Sequence, residues 1–438
     1  MWQNTLFRVG AVAFSLALFA CRTTYEPIDC TTNPTDPTCV VTPVSSSAAV
    51  VLPSSSSAVV VPNNFYGIEA SPNLTNYANN LYVQWWTAYY ITVETQIALG
   101  NDVNFASSYP AKAGLGRVMW DPSGTCTKTF CTVSEGIGYG MLSSMFVGDW
   151  TTFYALWNYH KTFRGGTGAL MNWRIWTFFD QEQGANFATD ADLDVATALI
   201  IGYHKTGDIN MLVDAQLMMD ALWNYAINHA NNLIQPGAAD EGFYNPSYFS
   251  PVAFRLFATH DANAASRDWL GVMNVNYAWL AAVQTSVGLF PEWANSAGAA
   301  VQGNSTALMY TYYAFEGLRI PFRLAWDYNW YGDPRDAVML DKMVAFIRTS
   351  TGEDPAKMSL RYSTVDGSGT AALAKMGLYS SFCVAGMADP GSQNWVNNCN
   401  NVMLTTPISA TSWTYWNHIL QMMYSLLING MFTKPAGI

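Results

Sequence analysis

Apolar residues recur at three- and four-residue intervals near 76–98, 134–161, 190–206, 208–230, 270–287, 311–327, 335–350 and 411–432. That is the period of a helix with a buried stripe. Ser134, Thr189 or Asp190, Asp208 and Thr411 are polar residues suited to open such helices, and Gly207 and Gly288 follow helical runs as C-terminal stops do. Weaker helical patterns cover 295–305 and 368–385, whereas convincing alternating strands are few. Loops rich in Asn, Gly and Pro are expected at 101–133, 231–268 and 288–310. The pattern predicts an all-α domain. Its helix count approaches the twelve of an (α/α)6 barrel, in which paired helices form two concentric rings and long loops at one end shape a substrate cleft.

Ahead of this domain the pattern changes twice. Arg8 is followed by an apolar stretch from Val9 to Ala20, too short to span a bilayer and suited to a signal peptide over 1–20. The ending Leu18-Phe19-Ala20-Cys21 resembles a bacterial lipobox, which makes Cys21 the expected lipidated residue; the plain alternative is an ordinary signal peptide with a spare cysteine. Residues 21–62 are Thr-, Ser- and Pro-rich, with Ser runs at 45–47 and 54–57, and form a tether. The 23 residues from 40 to 62 would reach roughly 25–30 Å as a flexible coil. No second linker follows, so 63–438 reads as one catalytic-sized domain. The expected location is the outer membrane or cell surface of a bacterium, with secretion as the alternative.

Composition narrows the partners. Only 12% of the 438 residues are charged while 14% are aromatic, including 17 Trp and 24 Tyr. Most of these rings are expected in the core, and some are suited to stacking on sugar faces. A net charge of -11 without a Lys/Arg cluster makes nucleic acid and anionic polysaccharide poor partners. A neutral β-linked polysaccharide suits this surface better, and a monomer is expected.

Besides Cys21 there are six cysteines, Cys30, Cys39, Cys126, Cys131, Cys383 and Cys399. Proximity in an exported chain favours the pairs 30–39, 126–131 and 383–399 among fifteen possible connectivities. A 126–131 bond would brace the loop before Glu135. The five histidines (His160, His204, His229, His260 and His418) show no zinc-ligand spacing with them, so no metal site and no cofactor is expected.

The chemistry lies in the carboxylates. Val133-Ser134-Glu135-Gly136-Ile137-Gly138-Tyr139-Gly140-Met141 sets one acid at the start of an apolar helix, and Ala188-Thr189-Asp190-Ala191-Asp192-Leu193-Asp194 crowds three at the start of another. Acids favour helix starts, but glycines in a first turn cost helix stability and open the backbone to close approach. Together the two runs resemble the signature segments of glycoside hydrolase family 8, the inverting β-1,4-glycanases.

The resemblance implies that Glu135 is the catalytic acid, in an apolar surround drawn from Trp120, Tyr139 and Met141, and that Asp190 positions the sugar. Asp192 and Asp194 are expected to be structural. The base of the best-known subgroup is an Asp in a Tyr-Asp-Ala-x-Arg-x-Pro-Trp-Arg segment. Here Phe315-Glu316-Gly317-Leu318-Arg319-Ile320-Pro321-Phe322-Arg323 puts Glu316 in that place, with Asp261 and Glu292 as alternatives. Arg319 is expected to pair with Glu316 or Asp190. Trp173 in Leu170-Met171-Asn172-Trp173-Arg174, Tyr248 in Asn245-Pro246-Ser247-Tyr248-Phe249, and Trp120 are expected to bind substrate. Gly288-Leu289-Phe290-Pro291-Glu292-Trp293 resembles a further family turn. The implied activity is endo-hydrolysis of β-1,4-glucan with inversion; xylanase, lichenase and chitosanase are alternatives within the family. A non-catalytic glycan-binding lipoprotein is the rival of another class, and the shortage of Lys and His counts against a polysaccharide lyase.

Overall fold

The computed structural model describes residues 65–99, 112–120, 131–178, 186–238, 241–305, 309–409 and 414–438, which hold thirteen α-helices. Cys21, Cys30, Cys39 and Cys126 lie outside the described residues, as do the signal segment and the tether. The helices are α1 (Thr75–Tyr89), α2 (Val93–Ala98), α3 (Ser134–Val147), α4 (Trp150–Thr162), α5 (Thr189–Thr206), α6 (Ile209–Tyr225), α7 (Pro251–His260), α8 (Trp269–Val283), α9 (Ile320–Tyr331), α10 (Pro334–Thr351), α11 (Met376–Ala385), α12 (Gln393–Thr405) and α13 (Tyr415–Ile428).

Six of them close a ring: α3 packs on α5, α5 on α7, α7 on α9, α9 on α11, α11 on α13, and α13 returns to α3. Each is backed by its sequence neighbour, α4, α6, α8, α10, α12 and, behind α13, α1. The chain is therefore an (α/α)6 barrel. Inner and outer helices differ in sequence for a physical reason. Twelve of the 14 residues of α3 are buried, and α5 is buried from Thr189 to Gly202, so neither has a solvent face to fill with charge. Helix α6 buries a single stripe that includes Met211, Ala215, Met218 and Leu222.

Several expected elements are redrawn. The run 134–161 is two helices, because Gly148 takes a left-handed φ of 82° and Asp149 caps α4 by accepting from the Thr152 N–H at 3.0 Å. The run 76–98 is broken by β1 (Tyr90–Thr92), which pairs antiparallel with β2 (Gly116–Val118). Residues 311–327 start as a strand and a 3-10 turn (Phe315–Arg319), and α9 begins only at Ile320. Pro321 lacks an N–H and fits a helix only in its first turn, which places that boundary. No helix covers 295–305, where Gly298 and Gly303 take positive φ. The expected loop 231–268 contains α7, opened by Pro251 at N1. Helix α12 was not anticipated.

Two short antiparallel pairs matter for the site. β3 (Thr132–Val133) joins β4 (Arg174–Ile175), and after β5 (Ile227–Asn228) and β6 (Leu233–Ile234), β7 (Tyr312–Tyr313) joins β8 (Tyr362–Ser363). The expected 383–399 disulfide is not formed: Cys383 on α11 and Cys399 on α12 are free buried thiols. Packing of the two helices brings them together, but burial pushes the Cys383 thiol well up and keeps its proton on.

Candidate active site

Every inner helix points its N-terminal end at one cleft of about 570 Å³. The lining comes from Ser134 and Glu135 of α3, Asp190 of α5, Tyr248 ahead of α7, Glu316, Leu318 and Arg319 ahead of α9, Lys375 and Leu378 at α11, and Tyr415, Trp416 and Asn417 of α13. Helix N-termini carry partial positive charge and free N–H groups, so this end of a barrel is the favourable place to gather carboxylates. The sequence-predicted Trp120, Trp173 and Tyr248 line the same cleft.

Arg319 ties the acids together. Its Nη1 donates to Glu135 Oε2 at 2.9 Å and to Asp190 Oδ2 at 2.5 Å, while Nη2 donates to Glu316 Oε2. The guanidinium lies between two rings, 5.1 Å from that of Tyr248 and 5.2 Å from that of Trp416. One buried cation thus faces three carboxylates. Burial pushes the Glu135 carboxyl up to about 8; Arg319 opposes this and the charges of Asp190 and Glu316 add to it. Burial likewise raises Asp190 to about 6, against the pull of Arg319 and Arg323.

Each acid is placed by its own local device. Ser134 N donates to Trp173 O at 2.8 Å beside the β3–β4 pair, which sets Glu135 next to the Trp173 segment. Cys131 is disulfide-bonded, and its carbonyl accepts from Trp120 N at 2.7 Å, so this bond anchors a cleft wall. Tyr415 donates its hydroxyl to Glu135 Oε1 at 3.2 Å. Asn245 Nδ2 donates to Glu316 Oε2 at 2.8 Å. The Asp run divides as a helix with acids at positions i, i+2 and i+4 must: Asp190 meets Arg319 and Asp194 is held bidentately by Arg323, whereas Asp192 accepts from Met171 N and bonds His160 Nε2 at 2.8 Å.

The glycines of α3 serve packing, contrary to the expectation that they admit a ligand. A Cβ on Gly136 would lie 2.8 Å from the Tyr415 hydroxyl, and one on Gly138 would lie 3.0 Å from the Ala191 carbonyl of α5. Met141 is buried in the core and lines no part of the cleft. Of the alternative bases, Asp261 caps the C-terminal end of α7, away from the cleft, and accepts from Trp269 Nε1 at 2.8 Å. Glu292 lies near enough to Glu316 to feel its charge, but burial holds it up at about 7 with Ser305 donating to it. Unlike Glu316, it does not line the cleft. Sequence reasoning missed Tyr415 and Trp416, because the last hundred residues carry no distinctive motif; it placed the Asn245–Phe249 element at the cleft but not the bond from Asn245 to Glu316.

This site sits on a chain with clear relatives. The sequence profile of Glycosyl hydrolases family 8 matches residues 73–430. Endoglucanase 2 of Ruminiclostridium josui is 30% identical over 334 residues, 73% of this chain and 67% of that protein. Beta-glucanase of Niallia circulans is 25% identical over 365 residues, 77% of this chain and 86% of the other. Among solved structures, the apo Beta-1,3-1,4-glucanase from Paenibacillus sp. X4 superposes with a TM-score of 0.70 at 21% identity, covering 83% of this chain and 95% of that one.

Proposed function

Because the chain belongs to glycosyl hydrolase family 8, and is therefore a glycoside hydrolase, we propose that it cuts β-1,4-linked glucan within the polymer and inverts the anomeric centre. The observation that carries this reading is the convergence of Glu135, Asp190 and Glu316 on Arg319 at the floor of one aromatic-lined cleft. Glu135 is the general acid: with its carboxyl raised to about 8 it holds a proton at neutral pH and can hand it to the leaving glycosidic oxygen. Glu316 is the base that deprotonates the water attacking from the opposite sugar face. It is half-exposed at the cleft, and Asn245 and Arg319 orient its Oε2. Asp190 keeps one buried oxygen, Oδ1, without a protein partner, which suits it to accept a sugar hydroxyl at the cleavage point.

Glucan is the preferred backbone because relatives of this chain are endoglucanases, among them those of Ruminiclostridium josui and Acetivibrio thermocellus. Xylan is the second reading, favoured by 25% identity to Reducing-end xylose-releasing exo-oligoxylanase Rex8A of Paenibacillus barcinonensis. Cys21 serves as a lipid anchor and residues 21–62 as the tether that holds a monomeric catalytic domain off the cell surface.

The test is hydrolysis of soluble glucan, xylan, lichenan and chitosan, with NMR of the anomer first released. Rapid release from glucan with inverted configuration supports the assignment. Retention of configuration, or binding without cleavage, overturns it.

A further inference from the structure

The cleft carries two cations that the catalytic acids leave unmatched. Arg361 and Lys375 line it with Arg319, yet among the described residues no carboxylate pairs with either. Both come from one excursion between α10 and α11, zipped by its own backbone. Leu360 N donates to Ala372 O at 2.7 Å, Ala374 N to Met358 O at 2.8 Å, and Thr370 N to Arg361 O at 3.2 Å. Pairing of β8 with β7 fixes this hairpin to the strand that leads into Glu316.

Arg361 is held by packing and soft contacts rather than by an acid. Its guanidinium lies 5.1 Å from the Tyr312 ring, Nη1 donates to Met309 Sδ at 2.8 Å, and the buried Nε has no partner. Lys375 stands exposed at the N-cap of α11. A guanidinium set on an ordered wall with donors unspent is suited to an anion supplied from outside, and its planar fork matches a carboxylate.

Resting on the reading that the cleft binds a β-linked glycan, we propose that Arg361 and Lys375 form a subsite for a carboxylate on that glycan, such as a uronic acid substituent. The net charge of -11 averages over the whole surface and hides this local sign. Exposed charges farther than about 8 Å away are largely screened at physiological ionic strength, so the sign at this wall, rather than the net charge, is what a substituent there meets. The same cations oppose an amine-bearing glycan, which ranks chitosan last among the family alternatives.

Carboxymethyl cellulose and hydroxyethyl cellulose of matched substitution present one backbone with and without carboxylates. The ratio of kcat/KM between them is the readout, and glucuronosyl-substituted against arabinosyl-substituted xylan forms a second arm that isolates a uronic acid as the source. Arg361→Gln with Lys375→Gln lowers the carboxylated-to-neutral ratio roughly fivefold or more, and raised salt lowers it in the wild type. Lys375→Gln alone, at an exposed position, gives a smaller change in the same direction and guards against misfolding of the double variant. A ratio unchanged in both variants, or an equal loss on both polymers, overturns the proposal. If wild-type protein cleaves neither cellulose derivative, the glucan reading fails instead. Retardation of Glu135→Gln in gels containing each polymer then still reads the carboxylate preference, and equal retardation sinks it.

Discussion

Tyr415 donates its hydroxyl to Glu135 across 280 residues of chain, joining the first turn of the last inner helix to the first turn of the first. The bond favours the ionised carboxylate and so opposes the burial that raises Glu135. Its removal has a definite sign. In the wild type, kcat/KM falls as pH rises through about 8, where the acid loses its proton. Tyr415→Phe moves that alkaline limb upward, and a pH–rate profile that stays in place or moves down contradicts the role given to Glu135.

The base assignment separates charge from shape. Glu316→Gln keeps the size and loses the proton acceptor, so its turnover on soluble glucan drops at least about a hundredfold. Glu316→Asp restores the carboxylate one methylene further back and recovers part of that loss. Equal turnover in the Gln variant and the wild type would place the base elsewhere.

Stability and catalysis pull against each other at the acids. Glu135 and Asp190 have folded values of about 8 and about 6, above their ordinary 4.5 and 3.8. The folded state therefore holds protons that the unfolded chain releases, and stability is lost as pH rises from about 4 to about 8. Glu135→Gln removes this liability. Its melting temperature exceeds that of the wild type at pH 8 by an amount on the order of 2 °C or more, and the gap closes towards pH 4. A gap that is constant with pH refutes the linkage.

Gly138 tests whether the glycines of α3 serve packing. The Cβ of Gly138→Ala would stand 3.0 Å from both the Ala191 carbonyl and Asp194 Cβ, contacts with backbone and a buried ion pair that cannot turn aside. The expected cost is about 1–3 kcal/mol in denaturant unfolding. A neutral result would mean that α3 and α5 can separate freely.

What could be read from the chain and what could not divide along sequence distance. Helices α6, α8 and α10 are capped by the side chains of Asp208, Asp268 and Asp333, and α5 and α10 stop at Gly207 and Gly352. The starts of all four follow the pattern closely, whereas α6 and α8 end at Tyr225 and Val283, short of the expected 230 and 287. The Glu135 and Asp190 runs and the Phe315–Arg323 segment are local motifs, so the acids could be named one by one. That they meet on Arg319 depends on ring closure, with Asp190 lying 129 positions and Glu135 184 positions away. Helix α12 escaped notice because its many Asn residues are poor helix formers; burial of Trp395, Val396, Cys399 and Met403 overrides that preference. The 383–399 pairing was half right in a spatial sense, since proximity in sequence did mean proximity in the fold, yet in the structure the sulfurs stay reduced.

The ring is sealed by its final inner helix, which also supplies Tyr415 and Trp416 to the cleft. A nascent polypeptide halted before residue 415 has five-sixths of the inner wall, a gap where α13 belongs, and no hydroxyl beside Glu135. Biosynthesis must therefore run through Ile428 before the inner wall can close, so the complete cleft forms only once α13 has been made.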